Sequence, residues 1–248
     1  MIGKPGHDPE VSLLAVTVDL VIFTVRGDEL HILVVERGIE PFRGAMALPG
    51  GYVRPGETLD EAAERELREE TSLDGSALHL EQLRAYSEPE RDPRGRVITV
   101  AYLALGPDMP PPVAGTDARE AVWVPVSSVL GGGTELAFDH ATILRDALEH
   151  ARSQLEHTTV AAKFCPEPFT VGELRRIYEV VWGFKLDPSN FRRKMTRAEA
   201  FLEPTGEQRY PDVGRPAALY RRGSARFLVP PLLRTAASRD DAPRVHPG

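Results

Sequence analysis

The chain has 248 residues, 42% of them hydrophobic, one cysteine (Cys165) and a formal net charge of −7. One cysteine excludes an intrachain disulfide framework and fits a reducing, cytoplasmic setting. The N-terminal MIGKPGHDPE lacks an apolar signal core, and no run of about 18 apolar residues exists to span a membrane. The charge is divided unevenly: residues 1–159 carry 14 Lys and Arg against 27 Asp and Glu, whereas residues 160–248 carry 16 against 10. An acidic front and a basic back predict two domains with different partners, because acidic metal sites repel nucleic acid and basic modules attract it.

Residues 1–10 read as a flexible tail. Residues 11–25 and 30–35 are β-rich apolar runs, separated by the hairpin signal Arg26-Gly27-Asp28-Glu29. Residues 47–51 lead into the stretch GYVRPGETLDEAAERELREETSL. Gly50, Gly51, Pro55 and Gly56 predict a tight loop. Thr58 with Glu61 makes a capping-box pattern, so a helix starts near Thr58. On its wheel Leu59, Ala63 and Leu67 form the apolar stripe, while Glu61, Glu64, Arg65 and Arg68 fall on the far, solvated side. Glu66, Glu69 and Glu70 fall on the shoulder of the stripe, stacked at spacings of three and four. A glutamate-rich helix is ordinarily a solvated face. Carboxylates that point partly inward, however, need a compensating partner. Hard divalent ions such as Mg²⁺ or Mn²⁺ take oxygen ligands of this kind, so the pattern predicts a metal site that handles phosphates.

Further strands are expected at 84–87, 97–105 and 121–125, with a proline-rich loop at 110–115. Arginines 91, 94 and 96 precede the strand VITVAYLAL. Beside a strand edge they suit a diphosphate, or they form a charged surface hairpin. Ile143, Leu144, Ala147, Leu148 and Ala151 predict a helix over residues 139–155, which closes a first domain at 11–157. Residues 158–168, with prolines and mixed polarity, are expected as a linker.

Residues 169–233 form the second domain. Thr170 and Glu173 cap a helix carrying Leu174, Ile177, Tyr178 and Val181, and Gly183 ends it. Asp187 and Pro188 start a second helix. Phe191, Met195, Ala198 and Leu202 take one face of it; Asn190, Arg193, Lys194 and Arg197 take the other, with Arg192 alongside. A strand, a Gly-rich turn and a strand follow from Thr205 to Tyr220, with Arg209 and Arg215 near the tip. The pattern reads as a winged helix-turn-helix. Arginine can read guanine and asparagine adenine, while the remaining cations grip phosphate. A basic helix used only for protein contact is the other reading. Residues 234–248, rich in Arg, Asp and Pro, are expected to be a flexible tail.

Gly51, Glu57, Arg65, Glu66, Leu67, Glu69, Glu70 and Leu73 fill the places of a Nudix box, which this stretch closely resembles; Ser72 stands where the family has glycine. The resemblance implies an α/β sandwich with a mixed sheet between helices. It also implies Mg²⁺-assisted attack of water on a diphosphate, with metal on Glu66, Glu69 and Glu70. One of these, or a nearby glutamate, would serve as base, and Glu57 would assist. The segments ERGIEPFRGAMALPGGYV and DPRGRVITVAYLAL resemble Nudix proteins that handle ADP-ribose, which places Arg37, Phe42, Arg94 and Arg96 near such a ligand. His140 matches a family helix start and is expected to act as a structural cap. The segments FTVGELRRIYEVVWGFKLDPSNFRRKM and GRPAALY resemble the winged helix of Nudix-related transcriptional regulators of the NrtR type. That resemblance implies a homodimeric repressor on a palindromic operator of NAD-metabolism genes, responsive to ADP-ribose or a related NAD metabolite. The intact box keeps a second reading open: a Mg²⁺-dependent ADP-ribose hydrolase whose winged helix serves docking or dimerisation.

Overall fold

The computed structural model describes residues 14–71, 79–107, 109, 118–210 and 215–234, with Glu70, Thr71, Ala118 and Arg119 described for their backbone alone. The sheet is organised by two strands with almost no exposed side chains, β1 (Ala15–Arg26) and β6 (Val97–Gly106). They pair in parallel from Ala15↔Val97 to Thr24↔Gly106. Both are near-continuous apolar runs rather than alternating ones, as strands covered on both faces must be. β2 (Glu29–Arg37) returns antiparallel to β1 after the expected turn, with Phe23 opposite Ile32. The short strands β3 (Met46–Ala47) and β4 (Gly50–Tyr52) pair β2 and β1, β5 (His79–Tyr86) lies outside β6, and β7 (Ala118–Pro125) pairs β2. Parallel and antiparallel pairs in one sheet make it mixed.

Successive residues of β1 serve opposite faces. Val18, Leu20 and Ile22 pack with Ala62, Ala63 and Leu67 of α1 (Leu59–Thr71). Val21 and Phe23 pack with Ile143, Leu144 and Ala147 of α3 (His140–His157). The period-2 alternation of a strand thus builds the α/β/α sandwich. A short α2 (Val126–Leu130) follows β7. α1 starts where its capping pattern puts it: Thr58 N–H donates to Glu61 Oε2 at 2.8 Å and Glu61 N–H to Thr58 Oγ1 at 3.2 Å.

Residues 158–168, expected as a linker, fold into a buried 3-10 helix over Val160–Phe164. Its Val160, Ala161, Ala162 and Phe164 belong to the same core as α3, and that core runs on into the second domain. There β8 (Phe169–Thr170) leads into α4 (Val171–Trp182) and α5 (Pro188–Arg197), then β9 (Leu202–Arg209) and β10 (Ala217–Arg222). β8, β10 and β9 form a three-stranded sheet beside the helix pair, the winged-helix arrangement. Thr170 and Glu173 close a full capping box, and Gly183 takes φ 81, the left-handed conformation that ends α4.

One expectation here needs correction. α5 stops at Arg197 and Ala198 is extended, so Leu202 opens β9 instead of extending the helical face. Gly206, with φ 81, sits inside β9, and the expected tip between Arg209 and Arg215 falls largely on residues 211–214, which lie outside the described residues. Ser72, the 110–115 loop, residues 1–10 and residues 235–248 lie outside the described residues. Among the described residues no helix is long and apolar enough to cross a membrane.

Candidate ligand cleft and nucleic-acid interface

A cleft opens where β1, the end of β2, β4, the loop before β6 and the start of α3 meet; Asp19, Arg37, Tyr52, Arg94, Phe138 and His140 are among its lining residues. Its floor is polar and buried. Arg91 bridges two carboxylates, with Nη2 2.7 Å from Asp139 Oδ1 and 3.4 Å from Asp19 Oδ2. His140 Nδ1 accepts the Leu48 N–H at 2.9 Å, which leaves the ring proton on Nε2, 3.7 Å from Asp19 Oδ2. Burial lowers the pKa of His140, so the ring is neutral and ties α3 to the β3–β4 turn.

One wall is aromatic. Phe138 holds φ 55 and Phe42 φ 65, conformations that L-residues rarely adopt. Their rings meet edge to face at 4.8 Å. Arg37 lies 4.7 Å over the Phe138 ring, and Arg94 lies 5.5 Å from Tyr52 and 5.6 Å from Phe138. Two guanidinium groups and the rings of Tyr52 and Phe138 thus converge on one opening, while Phe42 touches Phe138 but is not itself among the lining residues. Arg94 is oriented by Asp92, with Nη2 2.6 Å from Oδ2. Arg37 Nε donates to the Pro41 carbonyl at 2.8 Å, but its Nη2 is buried with no hydrogen-bond partner among the described residues. A buried guanidinium N–H in that state can take a water or a ligand oxygen as acceptor. Arg96 does not join this group: its Nη1 donates to the Ser87 carbonyl at 2.6 Å, and it is not among the lining residues.

The acidic helix abuts the cleft from behind. Its centre is Arg65, which the helical wheel puts in solvent and which is instead buried. Side chains on a helix lean toward its N-terminus, and Arg65 reaches back over the preceding loop. It donates to Glu57 Oε1 at 2.7 Å and Oε2 at 3.0 Å, to Glu66 Oε1 at 2.5 Å, to Glu69 Oε2 at 3.3 Å and to the Tyr52 carbonyl at 3.1 Å. Arg54 adds a second cation, 3.4 Å from Glu69 Oε1. The compensating charge inferred from the sequence is therefore present as arginine. Hydrogen bonds from the Arg65 side chain and the Arg54 backbone hold Glu57 at about 2. Burial pushes Glu66 up, against the pull of Arg65. A Cβ on Gly51 would meet Glu66 Oε1, so glycine lets that carboxylate sit against the loop. Among the described residues no three His, Cys, Asp or Glu side chains converge to hold a metal. Glu66 and Glu69 offer hard oxygen donors suited to Mg²⁺ or Mn²⁺; the side chain of Glu70 lies outside the described atoms.

On the second domain Arg192, Arg193 and Arg197 are exposed on α5, and Arg215 is exposed where the chain re-enters the wing. Arg193 Nη2 donates to Asn190 Oδ1 at 2.7 Å, which joins a guanidinium and a carboxamide on one helix face. Two of the predicted contacts are engaged within the protein. Lys194 donates to the Pro231 carbonyl at 2.6 Å. Arg209 lies 2.5 Å from Glu173 Oε1 and donates to the Pro168 carbonyl at 3.0 Å.

Residues 13–147 match the NUDIX domain model, and residues 161–222 match the NrtR DNA-binding winged helix domain. The chain belongs to the NrtR family. It is 34% identical over 207 residues to the ADPR responsive transcriptional repressor NtrR of Acinetobacter baylyi, spanning 83% of this chain and 80% of that protein. The crystal structure of Shewanella oneidensis NrtR complexed with a 27mer DNA matches with TM-score 0.75 at 32% identity, over 88% of this chain and 99% of that one. The NUDIX domain of the same Shewanella protein complexed with ADP ribose matches with TM-score 0.53 at 32% identity, over 59% and 94%. The NrtR order, Nudix domain then winged helix, runs through the whole described chain.

Proposed function

We propose that this protein is a cytoplasmic transcriptional repressor that holds operator DNA with its winged helix and releases it when ADP-ribose or a related NAD metabolite fills the Nudix cleft. Residues 11–157 form the sensing unit and 169–233 the DNA-binding unit, with 158–168 between them. The observation that carries the reading is the unpartnered, buried Arg37 Nη2 beside the Phe138 ring and the Arg94–Asp92 pair. Two arginines suit a diphosphate, and the Tyr52 and Phe138 rings suit a stacked base or ribose face. Arg192, Arg193, Arg197 and Arg215 contact the DNA, with Asn190 positioned to read a base edge. A homodimer would present two such helices to a palindromic operator at a spacing of about 34–36 Å or a multiple. Genes of NAD metabolism are the fitting targets, because their product is the source of the effector.

A gel-shift with DNA from the chain's own upstream region, titrated with ADP-ribose, tests this. A specific complex that intact ADP-ribose dissolves is the expected result. Arg193→Ala should weaken the complex roughly tenfold, the size of one lost bidentate base contact. A complex indifferent to ADP-ribose would overturn the sensor reading.

A second reading rests on the position of Glu57, Glu66 and Glu69, joined through Arg65 to Tyr52 on the cleft wall. There Glu66, Glu69 and Glu70 would hold Mg²⁺ or Mn²⁺, which supplies Lewis-acid charge at a diphosphate. Arg65 and Arg54 would then give up part of their hold on Glu66 and Glu69. Mg²⁺-dependent conversion of ADP-ribose to AMP and ribose 5-phosphate would establish hydrolysis beside repression. ADP-ribose that stays intact would restrict the protein to sensing.

A further inference from the structure

The strands that line the cleft also reach the DNA-binding domain. β1 contributes Thr17 and Asp19 to the cleft and β2 contributes Val35 to Arg37. Roughly 25 Å away, at about 3.4 Å per residue, the same two strands meet in the Gly27-Asp28 turn. That turn holds Arg176 of α4: Arg176 Nη2 donates to the Gly27 carbonyl at 2.7 Å, and Nε lies 2.6 Å from Asp28 Oδ1. α4 is the first helix of the helix-turn-helix pair. A second connection, between α3 and α4, is of another kind. There Arg152 Nε donates to the Val181 carbonyl at 2.9 Å and Trp182 Nε1 to the Arg152 carbonyl at 3.1 Å, within the continuous apolar core. A packed core resists small rearrangement, whereas a solvent-facing ion pair exchanges readily with water.

From this difference we propose that the Asp28–Arg176 contact is an interdomain latch which stabilises the operator-holding arrangement against the effector-bound one. The inference rests on the repressor reading above. The arrangement in which the latch is closed matches the DNA complex of Shewanella NrtR across both domains with TM-score 0.75, against 0.72 for the crystal structure of that protein alone. β6 and β7 hold the outer edges of β1 and β2, so an effector at the cleft acts through the paired strands on their end, Val25↔Leu30 and Arg26↔Glu29, and on the solvent-facing turn beyond it. The latch then opens while the core between α3 and α4 stays packed. Coupling between two sites is reciprocal. Weakening the latch must therefore lower the ADP-ribose concentration that releases DNA and tighten ADP-ribose binding to the free protein.

Asp28→Asn is the informative variant, because asparagine retains the turn preference of aspartate while losing the charge. Anisotropy of labelled upstream DNA, titrated with ADP-ribose, gives the half-release concentration; calorimetry on the free protein gives the ADP-ribose affinity. The expected result is a fall in half-release concentration of about two- to fivefold, the range of one exposed ion pair, with a matching rise in affinity. The double exchange Asp28→Arg with Arg176→Asp should restore the wild-type value. A wild type that responds to ADP-ribose beside an Asp28→Asn variant that responds identically would overturn the latch alone. A wild type that binds the DNA but ignores ADP-ribose would overturn the effector reading and the latch together.

Discussion

At the scale of single residues, the chain sets arginines between carboxylates and lets the pairs define both stability and recognition. Arg65 serves three glutamates at once from a side chain 11% exposed. Removing it leaves buried Glu66 beside Glu69 with only the exposed Arg54 as a neighbouring cation. Arg65→Met should destabilise the fold by about 3 kcal/mol, the usual consequence of stripping one partner from a buried ionic group; urea denaturation measures it. Asp92 gives a pH prediction. Burial opposes its ionisation, but hydrogen bonds from the Arg94 side chain and backbone outweigh that and hold its pKa below 3.8. A depressed folded pKa gives stability that is complete above the unfolded value and is lost as pH falls through the folded one. Stability should therefore drop as pH falls below about 4, and Asp92→Asn should flatten that part of the profile. The box residues were legible in sequence because their spacing is local. The placement of Arg65 was not, because it depends on how the loop carrying Tyr52 and Glu57 folds over the helix. The Asp19–Arg91–Asp139 floor was equally hidden, since its members are distant in sequence and each looks ordinary alone.

At the scale of elements, caps and stripes were read correctly where the signal is short-range. Thr58, Thr170, Asp187 and Gly183 bound their helices as their chemistry requires. The end of α5 was not so readable, because Ala198 fits several backbone states. The wing itself is keyed to α4 through Glu173, whose Oε2 closes the capping box while Oε1 holds Arg209. Glutamine also serves a capping box, so Glu173→Gln should keep the helix and free Arg209. Freed, Arg209 gains one phosphate, and the slope of log affinity against log salt should steepen by about 0.9. In an Arg209→Ala background the same substitution should leave the slope unchanged. A steepening that persists there would place the new contact elsewhere.

At the scale of the whole molecule, the two domains share one core. Phe23 and Ile32 of the sheet, Leu144 of α3, Phe164 of the 3-10 helix and Trp182 and Phe191 of the helix pair belong to a single buried cluster. The chain beyond the wing returns to α3: Leu228 N–H donates to the His157 carbonyl at 2.8 Å, and Arg234 pairs Glu156 at 2.9 Å. Calorimetry should accordingly show one cooperative unfolding transition for the full chain. Two resolved transitions would mean that the domains fold independently despite the shared packing. By itself the sequence determined the two-domain order, the acidic box with its capped helix, and the basic helix pair, because each is written in patterns within about 30 residues, the span of one supersecondary motif. Only the tertiary structure decided that the segment between the domains is core rather than linker. It alone added Phe138 to the cleft of Arg37 and Arg94 and set Arg96 apart, and it alone showed that the β1–β2 turn touches α4. Those outcomes depend on which distant surfaces bury each other, and burial is a property of the assembled chain that local periodicity does not carry.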